Sequence, residues 1–237
     1  MIRARRTIAG IELGRILGAG ASAVVYAGRV RATRQRVAVK VVRPRPDHPA
    51  DQIERALQEA RVGWTVRHPN VVRVFEWGTT PEGEVYLVLE RLEGRTLGAL
   101  LAELGTVPAP RALAIGRQTA AGLAALHAHG ALHRDVKPDN VFLVDEGGAE
   151  QVKLLDMGLV QLRLDHPHRM AWTAAGLSLG TPGYLAPEQA RGDVATPATD
   201  VHGLGATLYH AIVGRAPYPT EATYDGLRAV ALATAPP

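Results

Sequence analysis

Cysteine is absent from the 237 residues, so no disulfide, thiolate metal site or cysteine nucleophile can form, and nothing points to an oxidising compartment. Aromatic residues make up only 5% of the chain, and Trp64, Trp77 and Trp172 form no interleaved basic and aromatic stripe. A nucleic-acid platform is therefore not predicted. No stretch approaches the roughly 18 apolar residues that span a bilayer. The opening MIRARRTIAGIELGR is interrupted by Glu12 and has no cleavable apolar run, so neither anchor nor signal peptide is expected. There is no sustained internal repeat, and the only Pro-rich stretch, residues 43–49, is short enough to read as a loop. Lysine occurs only at Lys40, Lys137 and Lys153 against 24 arginines, and asparagine only at Asn70 and Asn140. Where such scarce residues fall carries information.

What remains is ordinary globular composition, 46% hydrophobic and 21% charged, in a chain long enough for one large domain or two joined lobes. The net charge of +4 hides an uneven distribution: residues 1–46 carry +10, with Glu12 their single acid, and the remainder carries −6. A basic first part suits a polyphosphate ligand, nucleic acid or anionic lipid, but arginines on the solvent side of strands give the same count, and that reading is preferred for most of them. The composition fits a cytoplasmic protein, or the cytoplasmic domain of a longer membrane-anchored one.

Residues 11–42 hold three Gly-bounded β-branched runs, IELGRIL, VVYAGRV and RVAVKVV, and read as antiparallel strands. An amphipathic helix follows over 50–66, then strands VVRVFEWG and VYLVLERL around the turn TTPEG. Near Leu92 the period changes to helical, with helices over 96–104 and 111–128, short strands over 140–144 and 151–155, and a helix over 198–213 that is expected to be buried because it is apolar nearly all round. The boundary is placed at 1–93 and 94–237, with Gly94 as the hinge. His127, His129, His202 and His210 have no acidic or histidine partner visible in their spacing, so a metal site is not predicted from them.

Leu17-Gly18-Ala19-Gly20-Ala21-Ser22-Ala23-Val24-Val25 joins two predicted strands, and small residues there let backbone amides approach a phosphate; a glycine hairpin turn explains it equally well. Lys40 in V-A-V-K lies on the next strand, with Val39 and Val41 alternating to the other face. An inward ammonium needs a carboxylate. Glu59 is the candidate and Glu54 the rival. His133-Arg134-Asp135-Val136-Lys137-Pro138-Asp139-Asn140 concentrates a base, a cation and an amide oxygen suited to a hard divalent ion. Asp156 then ends an apolar strand in LLDMG, and with Asn140 makes an oxygen pair fit for Mg²⁺.

Taken in order, the glycine loop, VAVK, a helix glutamate, HPN, YLVLERLEG, HRDVKPDN, DMG and GTPGYLAPE resemble a eukaryotic-like (Hanks-type) Ser/Thr protein kinase domain of the bacterial subgroup, over residues 11–219. The resemblance implies an α+β bilobal fold: a small five-stranded antiparallel lobe with one main helix, and a larger helical lobe. It also implies ATP and Mg²⁺, with Mn²⁺ as a substitute, and a protein substrate carrying Ser or Thr. Leu17 and Gly18 to Ala23 would cover the phosphates, Lys40 would contact them while paired with Glu59, Val25 and Ala38 would line the adenine with Phe142 beneath, Leu89 would stand at the gatekeeper position, and the backbone of Glu90 and Leu92 would meet the adenine edge. Asp135 would orient the substrate hydroxyl, Lys137 would contact the γ phosphate, and Asn140 and Asp156 would hold the metal. Thr181 would shape the substrate side and Asp200 would brace the catalytic loop. Thr173, preferred over Ser178, is a candidate autophosphorylation site, with Arg134 as the guanidinium partner of its phosphate and a transient homodimer as the means of transfer.

The sequence departs from the pattern at Ala23, Met157 and Gly63, and ends before the last helices of relatives, including the arginine that pairs with the Glu188 equivalent. These departures leave a second reading, a pseudokinase-like nucleotide- or partner-binding module with little turnover.

Overall fold

A computed structural model of the chain describes residues 6–20, 23–42, 49–156, 182–218 and 230. Its contacts divide into two compact units, Met1–Arg67 with Val72–Glu93, and His68–Val71 with Gly94–Pro237.

The first unit is built on β1 (Thr7–Ile8), β2 (Ile11–Ala19), β3 (Ala23–Val30), β4 (Arg36–Val42), α1 (Pro49–Thr65), β5 (Val74–Thr79) and β6 (Val85–Glu90). The strands form one antiparallel sheet in the order β1-β2-β3-β4-β6-β5. It has six strands where the periodicity predicts five. The extra one is the two-residue β1, too short to show a period; Ala9 and Gly10, both at positive φ (47° and 74°), turn the chain so that Ile8 pairs with Ile11. On one face Val37, Val39 and Val41 pack with Ile8, Ile11, Leu13, Tyr86 and Val88. Each such side chain contributes about 1.5–3 kcal/mol by burial. Gly28 lets this core close, because a Cβ there would come within 3.0 Å of Ile11, Val37 and Val39. Alternation then places Ala38 and Lys40 on the opposite face. Helix α1 buries Ala56, Glu59 and Ala60, and its Trp64 meets Trp77 edge to face at 5.7 Å.

The second unit holds β7 (Gly94–Thr96), α2 (Leu97–Leu104), α3 (Ala109–Ala128), β8 (Val141–Glu146), β9 (Ala149–Leu154), α4 (Pro187–Arg191) and α5 (Pro197–Val213), with single 3₁₀ turns at Pro138–Asn140 and Pro182–Tyr184. β7, β8 and β9 form a small antiparallel sheet. Gly94 runs so close to β8 that a Cβ would sit 2.0 Å from the Leu143 carbonyl oxygen. Thr96 caps α2 by accepting from the Ala99 amide (3.1 Å). Helix α5 corrects the expectation of burial nearly all round: Val201, Ile212 and Val213 are exposed, while Thr199, Asp200, Gly203, Ala206, Thr207 and Ala211 turn inward. Small and polar residues face in because Gly203 passes against Val136, where a Cβ would lie 3.1 Å from side chain and backbone. Asp200 reaches the loop backbone from the same side.

The short stretch His68–Val71 belongs to the second unit although it is flanked in sequence by the first. Its hydrogen bonds explain why. Asn70 Nδ2 donates to the Val152 carbonyl (2.8 Å) and to Gln118 Oε1 (3.2 Å), and the Asn70 carbonyl accepts from the Leu154 amide (2.9 Å). Among the described residues no helix is long and apolar enough to cross a membrane.

Candidate active site

In the first unit the register Val25↔Lys40↔Leu87 fixes Lys40 at the centre of the sheet. Its Nζ donates to both carboxylate oxygens of Glu59, each at 2.9 Å. The side chains are 12% and 5% exposed. Glu54 is exposed and accepts instead from Gln58 (3.4 Å). Removing one partner of so buried a pair leaves an uncompensated charge.

The glycine loop closes β2 onto β3, with Gly18 opposite Val25, Ala19 opposite Val24, and the Gly20 amide donating to the Ala23 carbonyl (2.8 Å). A Cβ on Gly18 would meet no atom within 4 Å, and one on Gly20 would meet only the Ala23 oxygen at 3.8 Å. Among the described residues, packing does not demand glycine at either place. Bare backbone there suits the close approach of a phosphate group. Leu17 and Val25 are half-buried, and Ala38 and Leu89 are buried. Glu90 is tied to Arg73 twice, its amide donating to the Arg73 carbonyl (2.9 Å) and its Oε1 accepting from the Arg73 amide (2.8 Å). The Leu92 carbonyl accepts from Arg91 Nη1 (2.8 Å).

In the second unit a buried carboxylate organises the loop. Asp200, 1% exposed, accepts from the His133 amide (2.9 Å) and the Arg134 amide (2.6 Å), and its Oδ2 lies 2.7 Å from His127 Nε2. His127 thus has an acidic partner, contrary to the expectation from spacing. That partner is 73 residues away in the chain, beyond the reach of a local pattern. Gln189 of α4 adds a second brace, its Nε2 donating to the Arg134 carbonyl (2.8 Å) while its Oε1 accepts from the Ala186 amide (3.1 Å). Nothing in the local sequence marks Gln189 for this role. Arg134 adopts φ 63°, and His133, fully buried, hydrogen-bonds through Nε2 to the Leu155 carbonyl (2.9 Å).

So held, the loop presents Asp135. Its Oδ2 accepts from Lys137 Nζ (2.8 Å) and from Asn140 Nδ2 (3.0 Å), and Asn140 Nδ2 also donates to the Asp135 carbonyl (2.7 Å). With Oδ2 engaged, Oδ1 is the carboxylate oxygen that could accept a further proton donor. With its amide nitrogen committed to Asp135, Asn140 has its side-chain Oδ1 as the atom that could meet a cation. The Leu155 amide donates to the Asn140 carbonyl (2.9 Å), which brings the residue before Asp156 beside Asn140. Asp156 itself is exposed at φ 49°. Two hard oxygen donors suit a divalent ion that keeps water and phosphate ligands. The described residues contain no group of three or more His, Cys, Asp or Glu that could hold a metal ion.

Phe142 lies on β8 opposite Thr96 and is half-buried. Ala21, Ser22, Met157, Thr173, Ser178 and Thr181 lie outside the described residues. Glu188, expected to want an arginine, accepts from Thr199 Oγ1 (2.7 Å). Tyr184 Oη lies 2.6 Å from His210 Nδ1. Burial, and then the Asp139 carboxylate, push the Tyr184 hydroxyl up to about 12. Burial lowers His210 against the opposing effect of Asp139, and lowers His202 against those of Glu188 and the Leu185 backbone.

The protein kinase domain profile matches residues 11–233. The chain belongs to the protein kinase family. This kinase domain is 38% identical over 204 residues to serine/threonine-protein kinase pkn2 of Myxococcus xanthus, an alignment covering 86% of this chain and 24% of the relative. It is 36% identical over 244 residues to serine/threonine-protein kinase Pkn1 of the same organism, with 100% and 34% covered. With serine/threonine-protein kinase PknA of Mycobacterium tuberculosis the identity is 35% over 211 residues, covering 87% of this chain and 47% of the relative. The kinase domain spans about a quarter to a half of the length of these curated relatives. Protein kinases as a family use ATP and a divalent metal ion and act on proteins.

Proposed function

We propose that the chain is a Ser/Thr protein kinase that transfers the γ phosphate of ATP to Ser or Thr hydroxyls of protein substrates. The observation that carries this reading is the Asp135 cluster, in which Lys137 and Asn140 hold one carboxylate oxygen and leave the other for a substrate hydroxyl. Asp135 orients that hydroxyl and accepts its proton as the phosphoryl group moves. Lys137, already at hydrogen-bond distance, compensates charge on the transferring group. Lys40, fixed by Glu59, holds the phosphates, and Gly18 and Gly20 let backbone amides approach them. The Asn140 oxygen and Asp156 are the groups that would hold a divalent ion, which supplies neutralisation of phosphate charge. The named activity of the relatives supports Ser/Thr as acceptor. Transient pairing of two copies and phosphorylation of Thr173, on the cytoplasmic side of a membrane or in free cytoplasm, complete the reading.

The test is transfer of labelled γ phosphate from ATP with Mg²⁺, to the chain itself and to a generic basic protein, beside Asp135→Asn. The expected outcome is label on Ser or Thr, reduced about 10²–10⁴-fold in the variant, with nucleotide binding retained. A buried glycine, Gly63, inside α1 favours the pseudokinase reading. Nucleotide binding without transfer would establish that reading instead.

A further inference from the structure

The sheet face that bears Lys40 continues past the nucleotide residues into arginine. On β3 the residues of this face are Val25, Ala27 and Arg29, and on β4 their partners are Lys40, Ala38 and Arg36. On β6 the partners are Leu87 and Leu89, and since Val37 pairs with Glu90 the next residue, Arg91, comes level with Arg36. Arg29 and Arg36 thus face each other at this end of β3 and β4, Arg91 follows the last paired residue of β6, and on β2 Glu12 stands opposite Arg29.

This arrangement breaks a local rule. Arg29 stands directly opposite Arg36, and like charges so placed destabilise an antiparallel pair. Solubility does not require it, because charges spread over separate positions serve as well. Acid does reach the cluster, but it is engaged: Glu12 of β2, opposite Arg29, is paired with Arg31. Arg36 pairs with Glu93, whereas Arg15 and Arg29 have no carboxylate partner among the described residues. Burial, then the charges of Arg15 and Arg36, lower the Arg91 pKa, with Glu93 opposing. Two of the guanidinium groups are held in place before any ligand arrives, Arg36 by Glu93 and Arg91 by the Leu92 carbonyl.

We propose that Arg29, Arg36 and Arg91, with Arg15 beside them, form a second phosphate site, and that its ligand is a phosphorylated Ser or Thr side chain of a polypeptide. Converging guanidinium forks match the several acceptor oxygens of a phosphate monoester, which carries about −1.5 to −2 charge at neutral pH. Arg36 lies four residues along β4 from Lys40, about 13 Å at the strand rise, so this phosphate is not one that Lys40 holds. An anionic membrane fits less well, since Glu93, 65% exposed within the cluster, would face a plane of negative headgroups. The source of the phosphate rests on the kinase reading, whose product carries this group; the site itself does not.

The experiment is fluorescence anisotropy of the full chain, without nucleotide, against a dye-labelled peptide bearing one phosphothreonine and the same peptide unphosphorylated. The phosphopeptide is expected to bind about tenfold more tightly, the size of one or two charge-assisted hydrogen bonds. Arg29→Gln with Arg36→Gln should abolish that preference, and inorganic phosphate should compete. Asp135→Asn should leave it intact, which separates failure of this site from failure of the kinase reading. The proposal is overturned by a preference below about twofold, by an unchanged preference in the folded double variant, or by no competition from phosphate. It is equally overturned if the double variant loses binding to phosphatidylserine vesicles but keeps the phosphopeptide preference.

Discussion

Each unit fixes one of the chain's three lysines at hydrogen-bond distance from a carboxylate, and the two do it by opposite means. Lys40 depends on a helix: Glu59 arrives 19 residues later on α1, and the pair is almost sealed from water. Lys137 depends on a loop: its partner Asp135 is two residues away, and both are about a fifth exposed. The loop in turn rests on Asp200, whose carboxylate is buried and bonded to two consecutive backbone amides. A long-range packing decision therefore sets the first lysine, and a buried polar anchor sets the second. The first, on losing its partner, should lose stability from the unpaired ammonium but keep the sheet's architecture and fail chemically, while the second should lose its loop structure when its anchor is removed.

The sharpest way to break the contrast is Asp200→Ala, which orphans the His133 and Arg134 amides together. Denaturant unfolding should show a loss of about 3 kcal/mol or more. Glu59→Gln should leave the sheet folded by circular dichroism yet lower kcat/KM about 10²-fold, the effect of a misplaced phosphate-binding group. If it unfolds the protein as Asp200→Ala does, the contrast is wrong. Gly122→Ala tests the second unit away from the loop. Its Cβ would come 2.8 Å from both the Asn70 carbonyl oxygen and Leu154 Cδ1, so a melting-curve loss equivalent to about 1–3 kcal/mol is expected with kcat unchanged. The smallest effect is on pH dependence. His202 and His210 are lowered on folding, so their contribution is full above about 6.5, the unfolded value, and is lost as pH falls below it. Tyr184 is raised, to about 12, so its contribution is full below about 10 and lost as pH rises through 10 to 12. Denaturant midpoints from pH 5 to 8 should fall on the acid side, and His210→Gln should flatten part of that fall.

The sequence made the strands and most helices legible because their signals are local: period two through RVAVKVV and period 3.6 from Arg111 to Ala128, whereas Thr96, read as the first helical residue, caps α2 instead. The candidate site residues were legible for another reason. Lysine and asparagine are scarce in this chain, and their appearance beside HRD stood out. What escaped was either too short or too distant. The two-residue β1 and three-residue β7 leave no period, and the inward side of α5 looks polar because its residues serve the loop rather than an apolar core. His127 and Gln189 meet partners 73 and 55 residues away. No spacing rule reaches that far.

The excursion of His68–Val71 into the second unit bears on how the chain could be divided. A cut after Glu93 would carry Asn70 off with the N-terminal piece and strip its buried amide of Val152 and Gln118. The C-terminal piece would keep the vacated acceptors and Gly122, whose missing side chain makes room for the Asn70 backbone. Such halves are complementary fragments rather than independent modules: a four-residue graft on one has its socket in the other, so co-expression, not separate expression, is the way to recover both.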